Sequence, residues 1–277
     1  MTKPRNVSSS SSIVPQLTYR VWKVWRRNFD VFLKTWHVNF LPALFEPILY
    51  LAAFGFGLGA LITGGVEGGS YLQFIGPGLI SIAVMYGSFF ECTYASFVRM
   101  YFQKTFDAII ATPVSVDEVI AGELLWGATR ATINATIVLA VIAAFGLIYS
   151  PLFLLVPVLA FFGGLLFAAL AMCFTAIAPD IDFFNFPTFL FITPMFLLSG
   201  TFFPLSLVPV PLQAVAFAVL PLTHVVTLTR GFVLGRVESF LGLSPELLLG
   251  LSIVWIAVVT LVFFVLAINL MKRRLIQ

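Results

Sequence analysis

Long apolar runs, separated by short polar passages, dominate the pattern of the chain. A transmembrane helix needs roughly 20 mainly apolar residues. Six segments meet this requirement and are predicted to be membrane spans, at 38–61, 72–97, 122–148, 152–178, 183–200 and 248–270. The pattern therefore predicts an all-α membrane protein with six transmembrane helices.

The apolar segment 201–224 differs from these spans because prolines interrupt it. Its sequence is TFFPLSLVPVPLQAVAFAVLPLTH, with prolines at Pro204, Pro209, Pro211 and Pro221. A proline removes a backbone donor and breaks a helix, so the pieces between prolines are too short to cross a bilayer. We expect re-entrant helices here, before the last span, with their free backbone groups satisfied by protein or water.

The region before the first span divides into two parts. Residues 1–16, with SSSSS at 8–12, have the composition of a disordered cytoplasmic tail. In 17–36, large apolar residues recur at helical spacing and basic residues such as Arg26 occupy other faces; the apolar positions are Trp22, Trp25, Phe29, Leu33 and Trp36. This pattern predicts an amphipathic helix in the membrane interface. A basic flank that only orients the chain is the alternative.

Composition supports a membrane location and indicates an orientation. The chain is 60% hydrophobic and 10% charged, whereas about a quarter of a soluble domain is charged. The net charge of +3 does not indicate nucleic-acid binding, because the basic residues flank the spans instead of forming a patch. Most lie before the first span, between the second and third, or after the last. The positive-inside rule then places both termini in the cytoplasm.

One mixed-charge passage, QKTFDAIIATPVSVDEVIAGE at 103–123, lies between the second and third spans. It predicts a short helix, a break at Pro113, and a second helix that Ser115 caps with Glu118 at the capping-box position. A rigid helical knob on the cytoplasmic side suits the docking of a soluble partner. An ordered but purely connecting loop is the alternative.

Two long passages resemble a known family. They are TYASFVRMYFQKTFDAIIATPVSVDEVIAGELLWGATRA (93–131) and TPMFLLSGTFFPLSLVPVPLQAVAFAVLPLTHVVTLTRGFVLG (193–235). Both closely resemble the membrane subunits of type-2 ABC exporters, and within that family the permeases of lipo-chitooligosaccharide export. The resemblance spans nearly the whole chain from about residue 17. It does not extend to the serine-rich tail.

The resemblance implies a permease of the bacterial inner membrane that works as a homodimer among membrane lipids. It also implies two separate ABC ATPase subunits, which bind the ATP and Mg that this chain does not bind itself. The segment after the second span would be the coupling helix to the ATPase, and the residues on this motif are Thr105, Phe106, Asp107, Ile110, Thr112, Pro113 and Val114.

No feature of the chain indicates that it drives transport or catalyses a reaction itself. No Gly-Lys pair occurs, so the phosphate-binding loop G-x-x-x-x-G-K-[ST] is absent and the ATPase must be another polypeptide. The two histidines, His37 and His224, stand far apart and form no zinc or nucleophile motif, so we expect no catalytic residues and no metal site.

Polar residues in or near apolar spans are candidates for a substrate path, because burying them in a membrane is costly. Glu123 and Arg130 lie seven residues apart and share a helix face without contact, so we expect Arg130 to reach headgroups or another span. The predicted path residues are Glu46, Glu91, Tyr94, Asn185 and Phe189. A secondary carrier or channel that needs no ATP is the alternative function.

Overall fold

The computed structural model describes residues 15–59, 66 and 69–276, and these form a helical bundle. Residues 1–14 of the predicted tail and the end of the predicted first span lie outside the described residues. The helices, in chain order, are α1 (Val21–Ala52), α2 (Tyr71–Phe102), α3 (Thr105–Ile110), α4 (Val116–Ala144), α5 (Val156–Ile177), α6 (Asp182–Leu198), α7 (Val210–Val219), α8 (Pro221–Leu234) and α9 (Pro245–Ile276).

Among the described helices, five are long and apolar enough to cross a membrane: α1, α2, α4, α5 and α9. The fifth predicted span, 183–200, is the shorter helix α6, which Pro187 and Pro194 interrupt around a π-helical stretch at Thr188–Ile192. Its length of about 26 Å is slightly less than the roughly 30 Å of a bilayer core. With 17 residues, α6 is at the lower limit of the roughly 17–25 residues of a spanning helix. The described helices allow five spans, or up to six if the bent pair α7 and α8 counts as one.

The predicted boundary between an interfacial helix at 17–36 and a first span from residue 38 is absent. One helix, α1, runs from Val21 to Ala52, because no proline or glycine interrupts it before Pro42. The apolar stripe also divides between environments: Trp25 packs on Phe29 and bonds to α4, whereas Trp22 and Trp36 are exposed. That the first turns of α1 lie in the membrane interface stays a prediction.

The proline-rich segment forms two helices that meet at a sharp corner. Helices α7 and α8 are bent by 93° at Leu220, directly before Pro221. The prediction of helical fragments is confirmed, but the second one does not end at His224. It continues to Leu234, where Gly235 takes the left-handed conformation (φ 70°) that closes a helix.

Small residues allow the central helices to approach closely. Helix α4 packs against α1, α2 and α5, and α5 also packs against α9. Gly164 of α5 lies against Ala128 and Ala131 of α4, so close that a Cβ atom on the glycine would stand 2.5 Å from the Cβ of Ala131. The GG pair at 163 and 164 therefore serves close helix packing.

Several contacts gather helix ends at one side of the bundle, here called the terminal end. Lys272 near the end of α9 lies 3.1 Å from Asp117 at the start of α4. Arg274 donates to the backbone oxygen of Thr175 near the end of α5, at 2.6 Å. The start of α1, the end of α2 and the helix α3 lie at this end as well.

We expect Gly164→Ala to destabilise the protein by about 1–3 kcal/mol, because the new methyl group would overpack the contact between α4 and α5. The midpoint of thermal unfolding in detergent measures the effect. Gly250→Ala is the matched control, since nothing lies within 4 Å of its Cβ position, and it should stabilise by roughly 0.5–1 kcal/mol. Equal shifts in the two variants would contradict the close packing.

Candidate functional site

A short helical knob, residues 103–123, projects at the terminal end between α2 and α4. Lys104 takes the left-handed conformation (φ 52°) and turns the chain out of α2 into α3. The side chain of Phe106 is completely buried and anchors α3, while Asp107 on the neighbouring position is exposed. The knob thus combines a fixed base with a free outer surface.

The start of α4 has the predicted capping box. The Ser115 hydroxyl accepts a hydrogen bond from the Glu118 backbone at 3.3 Å, and the Glu118 carboxylate accepts one from the Ser115 backbone at 2.7 Å. These two bonds satisfy donors at the helix start that have no partner within the helix. The prediction of a helix, a break and a capped second helix is confirmed.

The knob is bonded to the first residues before α1 and to the end of α9. Thr18 donates to Glu118, and the Arg20 guanidinium donates to the backbone oxygen of Pro113. Asp117 accepts from the Gln16 backbone at 3.1 Å and pairs with Lys272 of α9. A force on the knob would therefore reach three of the long helices.

The seven residues on the predicted coupling motif differ in what they can contact. Asp107, Thr112 and Pro113 are exposed and form the outer surface of the knob. Phe106 is buried and has an anchoring position, and the half-buried residues are Thr105, Ile110 and Val114. The contact of any of them with an ATPase stays a prediction.

A buried carboxylate, that of Glu123 at the inner end of the knob, joins three helices. Asn28 of α1 donates to it at 2.7 Å, and Ser96 of α2 donates to it at 2.7 Å. Arg99 of α2 binds the same carboxylate with Nη2 at 2.6 Å and Nε at 3.0 Å. Since Glu123 lies on α4 and is fully buried, these bonds hold α1, α2 and α4 together.

Glu91 extends this network along α2. It accepts from Arg99 at 2.8 Å and from the Trp126 indole at 2.9 Å. Arg130 of α4 lies 3.4 Å from its other oxygen and donates to the Asn39 side chain of α1 at 2.9 Å. The expectation that Arg130 reaches another span, and not Glu123, is confirmed.

A cavity of about 460 Å³ opens beside this network between α1, α2 and α4. Its walls include two of the predicted path residues, Glu91 and Tyr94. Three guanidinium groups also line it, those of Arg27, Arg99 and Arg130. A cavity with charged walls at the end of a membrane bundle provides a polar binding space next to apolar surroundings.

Comparison with known proteins assigns the chain to a family. Residues 19–234 match the family model described as ABC-2 type transporter. The chain belongs to the ABC-2 type transporter family. It is a membrane transport permease, and membership implies an ABC ATPase as partner.

Several relatives of this ABC-2 permease are similar over most of their length. It is 38% identical to nodulation protein J of Rhizobium meliloti (strain 1021) over 253 residues, which cover 91% of this chain and 92% of the relative. It is 37% identical to nodulation protein J of Rhizobium leguminosarum bv. viciae, covering 92% and 94%. With the inner membrane transport permease YadH of Escherichia coli (strain K12) it shares 28% identity over 80% and 82%.

The other predicted path residues of the permease do not join Glu91 and Tyr94. Glu46 lies on the exposed side of α1, where it lines a separate small pocket with Tyr50 and Tyr86. Asn185 and Phe189 are exposed on the outer surface of α6. The five residues therefore do not surround one cavity within a single copy of the chain, and their role in a path stays a prediction.

His224 lies in a packed, buried environment in the permease. It is buried, its Nδ1 lies 3.1 Å from the Ser252 hydroxyl, and its ring stacks on Trp255 at 4.3 Å. In the described part of the chain, no three His, Cys, Asp or Glu side chains are grouped so that they could hold a metal ion.

Sequence reasoning missed the partnership of Arg99 and Asn28 with the carboxylates. Arg99 counted only as a basic residue that orients the chain. A signal was present nonetheless: Glu91, Arg99 and Glu123 are charges of both signs at neighbouring ends of two consecutive spans. Because consecutive spans run antiparallel, such charges are brought to the same depth and need partners.

We expect Arg99→Met to destabilise the permease by about 3–5 kcal/mol, because it leaves the buried Glu123 and the nearby Glu91 without their common cation. Thermal unfolding in detergent measures this loss. Arg273→Met, at an exposed position near the end of α9, is the control and should change stability by less than about 0.5 kcal/mol.

Adding Glu123→Gln to Arg99→Met should recover part of the lost stability, because the amide removes the uncompensated charge while Asn28 and Ser96 can still bond to it. Purely additive losses would show that the pair does not stabilise the bundle through its charges.

Proposed function

We propose that this permease is the membrane subunit of an ATP-driven exporter. Two copies of the chain assemble with two separate ATPase subunits, which bind ATP and Mg. The cargo is an amphiphile of the lipo-oligosaccharide or glycolipid class, in keeping with the sequence resemblance and with the nodulation protein J relatives. The observation that carries the proposal is the knob at 103–123, with its anchored base and exposed outer surface.

The bonding of the knob suits the transmission of a push. A partner that pressed on Asp107, Thr112 and Pro113 would push α3 inward. The buried side chain of Phe106 would pass this force from α3 to the bundle. The same force would reach α4 through the peptide chain, and it would reach α1 through the hydrogen bond between Arg20 and Pro113. In the proposed cycle, ATP-driven closure of the ATPases moves the knob and tilts the long helices, so that a path opens between the two copies.

The distribution of basic residues supports placing the knob on the cytoplasmic side of the inner membrane. Lys272, Arg273 and Arg274 end α9 at the terminal end, where Lys104 and the basic start of α1 also lie. By the positive-inside rule, this end faces the cytoplasm, where an ATPase finds its nucleotide.

The pairing of the buried charges argues against the alternative of an ion-driven carrier. A carrier of that kind needs carboxylates that gain and lose protons along a relay. Glu123 is bound by Arg99, Asn28 and Ser96, and Glu91 is bound by Arg99 and Trp126. The donors that bind these carboxylates come from fixed positions on α1, α2 and α4, so the carboxylates join helices and do not form an open chain of exchanging groups.

The test is a charge reversal on the exposed surface of the knob. We expect the wild-type permease, tagged and purified from its own host, to retain an ATP-hydrolysing subunit. Asp107→Lys should reduce the retained ATPase by about tenfold or more, since a like or misplaced charge at an interface costs at least about 1.4 kcal/mol. Mass spectrometry of the purified complex and its rate of ATP hydrolysis are the two measurements.

Asp182→Lys is the matched control, because Asp182 is also exposed and follows α5 at the same end of the bundle, outside the knob. It should retain the ATPase at the wild-type level. Uphill movement of a solute in vesicles that contain the permease alone, or equal retention by both variants, would contradict the proposed function.

A further inference from the structure

An apolar groove adjoins the polar cavity of the terminal end. The groove has a volume of about 910 Å³ and runs between α1 and α4. The cavity of about 460 Å³ and the groove share three wall residues, Phe32, Asn39 and Arg130, so they are neighbouring parts of one depression. The cavity has charged walls and the groove has apolar walls. An amphiphile likewise has a polar headgroup joined to an apolar chain.

The charges around the cavity leave an excess of cation. Arg27, Arg99 and Arg130 face Glu91 and Glu123, which gives a formal sum of +1. Glu123 accepts four hydrogen bonds. Arg99 and Trp126 both donate to one oxygen of Glu91, and the other oxygen lies 3.4 Å from Arg130 Nε. Because Arg99 binds both carboxylates, the one excess positive charge lies on the side of Arg27 and Arg130.

Arg130 has donors without acceptors. Its Nη1 is buried and has no hydrogen-bond partner among the described residues, and its Nε lies 3.4 Å from Glu91 without bonding orientation. Its guanidinium lies 4.9 Å from the ring of Phe32, at the junction of cavity and groove. A buried donor of this kind costs free energy unless an acceptor reaches it.

Arg27 also presents its charge to the cavity. It donates to the Asn28 side chain at 2.9 Å, and no carboxylate forms an ion pair with it in the described residues. Arg27 on α1 and Arg130 on α4 thus share the one excess positive charge and present it from two walls. A phosphate diester, with one negative charge and two free acceptor oxygens, complements them.

The walls of the groove are suited to an acyl chain. Leu33, Phe40 and Leu44 of α1 face Ile137 and Ala140 of α4 across it. Leu33 and Phe40 are exposed, so the groove opens on the outside of the bundle, where lipid surrounds a membrane protein. An extended hydrocarbon chain would cover these side chains.

We propose that the cavity and groove together bind one anionic membrane phospholipid, with its phosphate between Arg27 and Arg130 and an acyl chain in the groove between α1 and α4. The site needs neither the proposed ATPase nor the proposed cargo. Its failure would leave the proposed function untouched.

The first experiment compares headgroups on the full-length permease. The protein is delipidated in detergent and mixed with phosphatidylglycerol or phosphatidylcholine of the same acyl chains, and native mass spectrometry counts bound lipid. We expect a complex with one phosphatidylglycerol that is retained about tenfold more than phosphatidylcholine, as the excess positive charge requires. Equal retention of the two lipids would overturn the proposal.

Two adjacent arginines of α1 provide a matched pair of variants. Arg27→Gln removes a charge from the cavity, whereas Arg26→Gln removes the same charge from an exposed position outside it. Phosphatidylglycerol retention should fall about tenfold in Arg27→Gln and stay unchanged in Arg26→Gln. Arg130→Gln should have the same effect as Arg27→Gln. Equal retention in the Arg27 and Arg26 variants would contradict the site.

The acyl chain is tested on α4. Ala140→Trp fills the groove, and Ala143→Trp adds the same bulk at an exposed position that does not line it. We expect the first variant to lose phosphatidylglycerol and the second to keep it. Retention in both variants, or displacement of the lipid by millimolar inorganic phosphate, would show a site for free phosphate and would overturn the lipid assignment.

Discussion

A buried charge inside an apolar bundle has to be paired, and this requirement organises the terminal end of the permease. Glu123 is fully buried, and its carboxylate is satisfied only because α1 supplies Asn28 and α2 supplies Ser96 and Arg99. Removing α2 would leave Glu123 without its cation in low dielectric, and removing α1 would take away its amide donor. The network therefore fixes which helices meet α4 and at what depth.

The same network adjoins the knob. The bonds that hold the helices together are therefore also the bonds through which the proposed push on the knob would act. The knob starts where α2 ends, includes the first two turns of α4, and has Glu123 as its last residue, so it lies next to Arg99. Its own contacts, such as Thr18 with Glu118 and Lys272 with Asp117, add the start of α1 and the end of α9. An exposed helix of six residues, α3, is in this way joined to most of the long helices.

Helix α2 shows how a local irregularity serves the network. Residues eight apart on an α-helix point about 80° away from each other. Between Glu91 and Arg99 the helix passes through the π-helical turns Glu91–Ala95 and Val98–Phe102, which hold more residues per turn and reduce this angle. Arg99 consequently reaches Glu91 at 2.8 Å while it also binds Glu123.

The sequence by itself determined the helical class, the apolar segments, the proline breaks in 201–224 and the capped start of α4 at Ser115, because each depends on residues close together in the chain. Only the tertiary structure decided that α1 is one helix, that α6 is short, and that Phe106 is an anchor. It also decided that Glu123 meets Arg99 and Arg130 meets Glu91. Those outcomes depend on packing between helices far apart in sequence, which local spacing does not encode.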